Sequence, residues 1–221
     1  ARKLRLIVTS RPRLIPVLLL RQRALVKTVR FEDSRYVGDP VNAVRIYSDL
    51  LADEVVLLDI DATREKRSIS VDIVRAVGSE ALMPIVAGGG IRTIQEIRDL
   101  LVAGAEKVVV CTKAVEDPAF IREASKTFGS PTIVVCIDVR GSVLRSARAW
   151  GRAGTSRSRY DPVELARLME TNGAGEIIIQ AVDRDGKMQG YDVELVRRVS
   201  DAVSIPVIAL GGAGSLEDLR V

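Results

Sequence analysis

The sequence predicts an α/β protein of the (β/α)8, or TIM-barrel, class, and three observations carry that prediction. Seven apolar runs of strand length alternate with helix-forming segments, and no linker separates them. That is the pattern of a parallel sheet whose crossovers are helices. A strand, a glycine turn and a helix start occur twice, as MPIVAGGGIRT from Met83 to Thr93 and as IPVIALGGAGS from Ile205 to Ser215. Sliding the chain on itself by about 122 positions sets Val71, Val74, Arg75, Val77, Pro84, Ala87, Gly89 and Gly90 on identical residues. The same shift brings Glu54 onto Glu176 and Asp61 onto Asp183. Each half then holds four strand–helix units, and a duplicated half of that size closes into a barrel.

The elements follow in order. Leu14–Leu20 is the first strand-length run, and Arg21–Tyr36 reads as a long polar loop containing Lys27. Asp39-Pro40 starts a helix with Val41, Val44 and Leu50 on its inner face, since proline suits the first helical turn. Val55–Leu58 is a strand ending in Asp59, and a helix follows around Ser70–Val77. Met83–Ala87 is a fully buried strand, Gly88–Gly90 its tight turn, and Thr93 the cap of a helix over Ile94–Ala103. Val108–Cys111 ends at Thr112, Asp117-Pro118 opens a helix, and Ile133–Ile137 is closed by Asp138. Arg140–Arg159 is a long basic loop; Asp161-Pro162 opens a helix to Asn172, with Gly173-Ala174-Gly175 as its C-cap. Ile177–Gln180 is a strand, Val193–Val203 a helix and Val207–Leu210 the last strand. Residues 1–221 therefore read as a single barrel domain. Val221 falls in the helix after the seventh strand, so the expected eighth unit is missing from this chain.

Composition narrows the function. The chain has 47% apolar and 28% charged residues, as ordinary globular proteins do. A net charge of +4 with scattered arginines favours anionic small molecules over nucleic acid. The arginines of Arg140–Arg159 lack interleaved aromatics apart from Trp150 and Tyr160, and a clamp on an anionic substrate explains them as well. No histidine exists, which removes imidazole bases, Ser-His and Cys-His pairs and imidazole metal ligands; no metal site and no cofactor is expected. Cys111 and Cys136 fall in buried strands, the reading of a reduced, cytoplasmic protein. The basic, apolar start is broken by Arg11-Pro12-Arg13, so export is rejected, and no run is long enough to span a membrane.

Nine stretches in order carry a resemblance over nearly the whole chain: VKTVRF, YVGDPVNAV, VLLDIDAT, AGGGIRT, KVVVCTKAVEDP, FGSPTIVVCID, GAGEIII, DRDGKMQGYD and IPVIALGGAG. The sequence resembles the cyclase subunit of imidazole glycerol phosphate synthase, the HisF family. The resemblance implies a (β/α)8 barrel that binds a substrate with two phosphates at its C-terminal face. It also implies a partner, a HisH-type glutaminase on the N-terminal face, which supplies ammonia.

Carried over residue by residue, the match is uneven. Asp138 matches the family's fifth-strand catalytic aspartate, whereas Leu19 stands where the family has the first-strand one. A ring closure needs one proton donor and one acceptor, and leucine is neither, so the cyclase chemistry is expected to be weakened. For phosphate binding, one site matches Gly89, Gly90 and Thr112, with Cys111 replacing an asparagine; the other matches Asp185, Gly186, Gly211 and Gly212. Lys27 matches a lysine that folds over substrate. Arg13, Glu54, Lys107 and Glu176 match all four charges that guard the family's ammonia entry, and each precedes an apolar strand. The resulting expectation is a HisF-like paralogue of the kind that accompanies polysaccharide amidation. Two further readings stay open: a fully active cyclase of histidine biosynthesis, and a non-catalytic activator or scaffold of a glutaminase.

Overall fold

Short strands rich in Val and Ile, buried along nearly their whole length, need cover on both faces, and a curled parallel sheet ringed by helices supplies it. The computed structural model describes residues 12–141, 147–152 and 154–220. The strands are β1 (Val17–Arg21), β2 (Ala24–Val29), β3 (Glu32–Gly38), β4 (Val55–Asp59), β5 (Ile85–Gly88), β6 (Lys107–Val110) and β7 (Ile133–Arg140). They continue as β8 (Arg148–Gly151), β9 (Ser156–Arg157), β10 (Glu176–Ala181) and β11 (Val207–Leu210). The parallel run is ordered β1-β4-β5-β6-β7-β10-β11. Every expected strand is in this run. The fold is an α/β TIM-barrel type, with parallel strands in a curled sheet.

Alternation along the strands makes two cores. Leu20, Leu57, Val108, Val135, Ile137, Ile177 and Ile179 face outward into the layer beneath the helices. Val56, Val86, Val109, Val134, Cys136 and Ile178 face inward, joined by Val17 of β1 and by Ile208 and Leu210 of β11. Strands from both ends of the parallel run meet in this inner cluster, so the sheet curls back on itself.

Helix starts follow their caps. In α1 (Pro40–Asp49) Asp39 accepts from the Asn42 amide at 2.9 Å. In α3 (Ile94–Val102) Thr93 and Glu96 form a reciprocal capping box, and Asp161 with Glu164 does the same for α6 (Pro162–Thr171). Between these lie α2 (Val71–Gly78), α4 (Thr112–Glu116) and α5 (Pro118–Phe128), with α7 (Val193–Ser200) after them. The repeat holds in three dimensions: α2 and α7 start and stop at matching positions of the two halves, as the spacing requires.

Five expectations need correction. Leu50, expected on the inner face of the first helix, lies just past the end of α1 and is exposed. Arg21–Tyr36 is a hairpin: β2 pairs with β1 and β3 with β2, both antiparallel. β3 is exposed almost throughout, so it carries no apolar alternation to read. The basic segment likewise contains β8 and β9, with Trp150 opposite Asp138; residues 142–146 and 153 of it lie outside the described residues, as does the start of the chain through Arg11. α7 ends at Ser200 rather than Val203. After β11, where a helix was expected to run through Val221, the described chain has a 3-10 turn at Glu217–Arg220.

Candidate active site and the charge ring beneath it

At the N-terminal ends of the strands four charged side chains close a ring. Arg13 reaches Glu54 at 2.7 Å and Glu176 at 3.0 Å; Lys107 reaches the same two carboxylates at 2.7 and 2.9 Å. Glu54 is almost fully buried, and each charge touches two of opposite sign, the condition under which buried ion pairs are tolerated. Burial works against the charge on Lys107, Arg13 and Glu176. The partners outweigh it, so the two cations titrate above their ordinary values and Glu176 below its own. Directly above the ring lies the apolar inner core.

At the other end, Asp138 near the end of β7 is buried among polar and sulfur groups. Cys111 Sγ lies 3.5 Å from its Oδ2 and Cys136 Sγ 3.7 Å from its Oδ1. Burial pushes its carboxyl up to about 6, against the opposing pull of the two thiols and of Arg140. Cys136 is raised well above the usual thiol value by its contact with Cys111, by burial and by Asp138. For Cys111 the contact with Cys136 pulls downward, but burial and Asp138 prevail and the thiol is raised. Arg140 lies over the Trp150 ring, 5.6 Å from its centroid, and neither Arg140 Nε nor Trp150 Nε1 has an acceptor among the described residues. Two buried donors without partners beside a carboxyl leave room for a ligand's acceptor atoms.

Leu19 sits on β1, paired with Leu58 of β4 and Val26 of β2, four strands around the sheet from Asp138. Two residues on, Arg21 is committed to Asp61 at 3.0 Å and to Ser34 of the hairpin, while Arg64 also engages Asp61. Asp185 accepts from Thr28 at 3.1 Å, and its carbonyl accepts from the Arg30 amide at 3.1 Å. This contact brings the Lys27 strand beside the Asp185-Gly186 turn. Burial raises the Asp185 carboxyl, against the pull of Thr28.

Neighbouring backbone crowds both glycine turns. Gly89 and Gly90 have φ of 124° and 66°, and a Cβ on either would run into the backbone of Asp59 or Arg67. Gly211 and Gly212, at φ 93° and 109°, are hemmed in by Ala181 and Gly190. Beyond each turn a carboxylate of the chain already holds the next amides: Glu96 takes those of Arg92 and Thr93, and Asp218 those of Gly214 and Ser215. Glu96 and Asp218 correspond under the internal repeat. An anion at either turn is therefore left with the glycine amides upstream. The Thr112 hydroxyl accepts from the Arg152 amide at 3.0 Å and is tied to the basic segment.

A family profile described as histidine biosynthesis protein matches residues 13–221. The chain is 42% identical over 206 residues to the imidazole glycerol phosphate synthase subunit HisF of Alkaliphilus metalliredigens, covering 93% of this chain and 82% of that protein. It belongs to the HisF family. It is also 42% identical over 209 residues to a putative imidazole glycerol phosphate synthase subunit, hisF2, of Pseudomonas aeruginosa, covering 95% and 83% of the two chains. A putative HisF of Leptospira interrogans is 38% identical over 211 residues, with the same coverage. In the sequence Arg140 and Trp150 stand out only as part of a basic segment that can clamp an anionic substrate, Cys111 only as a replacement at a phosphate site and Cys136 only as a buried strand residue, while Arg21 carries no signal. Only position could have signalled them: Cys136 and Arg140 share an inward parity with Asp138 along β7.

Proposed function

We propose that this chain is a HisF-type synthase subunit that draws ammonia from a HisH-type glutaminase at its N-terminal face and binds a phosphorylated substrate at its C-terminal face. The closed ring of Arg13, Glu54, Lys107 and Glu176 carries the reading. A ring of paired charges under an apolar barrel interior holds back ions, while neutral ammonia passes by exchanging hydrogen bonds or when one side chain swings aside. A docking surface surrounds it. Leu14 precedes β1, Leu50 and Leu51 lie between α1 and β4, Leu82 lies before β5, and Val102 ends α3 before β6. All are exposed, and all belong to the strand-entry end where the ring lies. Exposed large apolar groups gathered at one end mark an interaction site.

At the mouth, Arg140 Nε and Trp150 Nε1, which have no acceptor among the described residues, suit an anionic substrate together with Lys27 on the neighbouring hairpin. Gly89, Gly90 and Thr112 on one side, and Asp185, Gly186, Gly211 and Gly212 on the other, frame its two phosphates. Asp138, raised toward neutrality, can hold a proton and give it up near physiological pH. Leu19 leaves it without the second carboxylate, so the cyclase step is slow. Ammonia-dependent turnover of the ribulosyl substrate of imidazole glycerol phosphate synthase tests this. A lost acid or base costs about 10²–10⁴-fold, and Leu19→Asp should regain at least about tenfold of that rate. A fast wild-type rate that Leu19→Asp leaves unchanged favours a fully active cyclase and refutes the weakened site.

A further inference from the structure

We propose that Cys111, Cys136 and Asp138 form a binding site for a soft divalent cation of the zinc class, with one coordination position facing the barrel mouth. The sulfurs come from neighbouring strands. Val110 pairs with Val135 across β6 and β7, so the residues that follow them, Cys111 and Cys136, stand side by side. The two sulfurs and one carboxylate oxygen all lie within 4.8 Å of one another. Cys111 Sγ lies 3.5 Å from one oxygen of the Asp138 carboxylate and Cys136 Sγ 3.7 Å from the other, each close to the edge of about 3.5–3.7 Å between ligands held at about 2.0–2.3 Å from a zinc ion.

Donor chemistry selects the ion. Two thiolates and a carboxylate are a soft set suited to zinc, whereas magnesium and calcium demand oxygen ligands throughout. Their joint charge exceeds that of the ion by one unit, and Arg140 lies within electrostatic reach of Asp138 to offset the excess. Val109, Val134 and Ile178 floor the site with apolar groups, which strengthens metal–ligand bonds. Cys136 and Asp138 are buried, while Cys111 is partly exposed and gives the ion its way in. Binding breaks two S–H bonds, releases both protons to solvent and forms two metal–sulfur bonds, with no change of oxidation state. The absence of histidine removes imidazole ligands only, and this site uses none.

The chain holds two cysteines and no histidine, so a cobalt–thiolate signal reports on this cluster alone. The full chain, stripped by chelator and kept reduced with a phosphine, is titrated with Co²⁺. The expected result is one equivalent bound, with tetrahedral d–d bands and a thiolate-to-cobalt charge-transfer band that Zn²⁺ abolishes. Cys111→Ser and Cys136→Ser each halve the charge-transfer intensity and weaken binding about 10–100-fold; the double variant shows none. Zn²⁺ also protects both wild-type thiols from alkylation, a readout that needs no variant. No charge-transfer band in the wild type, or thiols alkylated equally fast with Zn²⁺, overturns the proposal. Neither readout involves ammonia or a glutaminase, so failure of the metal site is distinguishable from failure of the proposed function; with the ion bound, Asp138 is a ligand and does not carry the proton of the cyclase step.

Discussion

Asp138 concentrates the chemistry at the residue scale. Its carboxyl titrates near 3.8 when free and near 6 in the fold. Between those values the folded state holds a proton that the unfolded chain has lost, so this group's contribution to stability falls as pH rises from about 4 to about 6. The full effect is on the order of 2–3 kcal/mol, at about 1.4 kcal/mol per pH unit. Asp138→Asn in chelator-treated protein should therefore stabilise the fold at pH 7.5 by up to that amount relative to wild type. At pH 4 it should stabilise little. Denaturant unfolding at the two pH values measures it, and a difference that does not vary with pH contradicts the burial argument. The position of Asp138 was legible because it closes an apolar run. Its surroundings were not, since Cys111, 27 residues away, reaches it only through strand pairing.

Elements were legible where local chemistry decides them. Asp39, Thr93 and Asp161 announced three helices because each accepts an amide hydrogen bond of the helix it opens. The β2–β3 hairpin and the β8–β9 ribbon were not legible, because β3 and β9 are exposed and the buried positions of β2 and β8 are too few and too small to stand out as strands. The glycine turns were found, but their cause is the crowding of neighbouring backbone as much as any ligand. Gly90→Ala should destabilise the chain by more than about 1 kcal/mol, since its φ is positive and a Cβ would overlap Arg67 and Ala62. Thr93→Ala removes one half of a capping box and should cost about 0.5–2 kcal/mol. Urea unfolding compares the two; a Gly90→Ala variant as stable as wild type would refute the packing argument.

At the scale of the whole molecule, the internal repeat made the barrel legible and also set Glu54 and Glu176 at matching places. Arg13 has no charged counterpart under that shift, and only the folded ring shows Arg13 and Lys107 each bridging both carboxylates. The apolar rim around the ring could not be read, because Leu51, Leu82 and Val102 look like ordinary loop and helix-end residues until the fold gathers them at one end. Leu82→Asp should weaken binding of a HisH-type glutaminase about tenfold or more, with thermal stability unchanged; calorimetric titration reads it. The central claim is that ammonia crosses the ring, and coupling tests it most directly. Product formed per glutamine hydrolysed is measured in the complex, for wild type and for Lys107→Met, which leaves two carboxylates facing one arginine. The account predicts that Lys107→Met keeps its glutaminase and its turnover with free ammonia while product per glutamine falls severalfold. An unchanged ratio would contradict it.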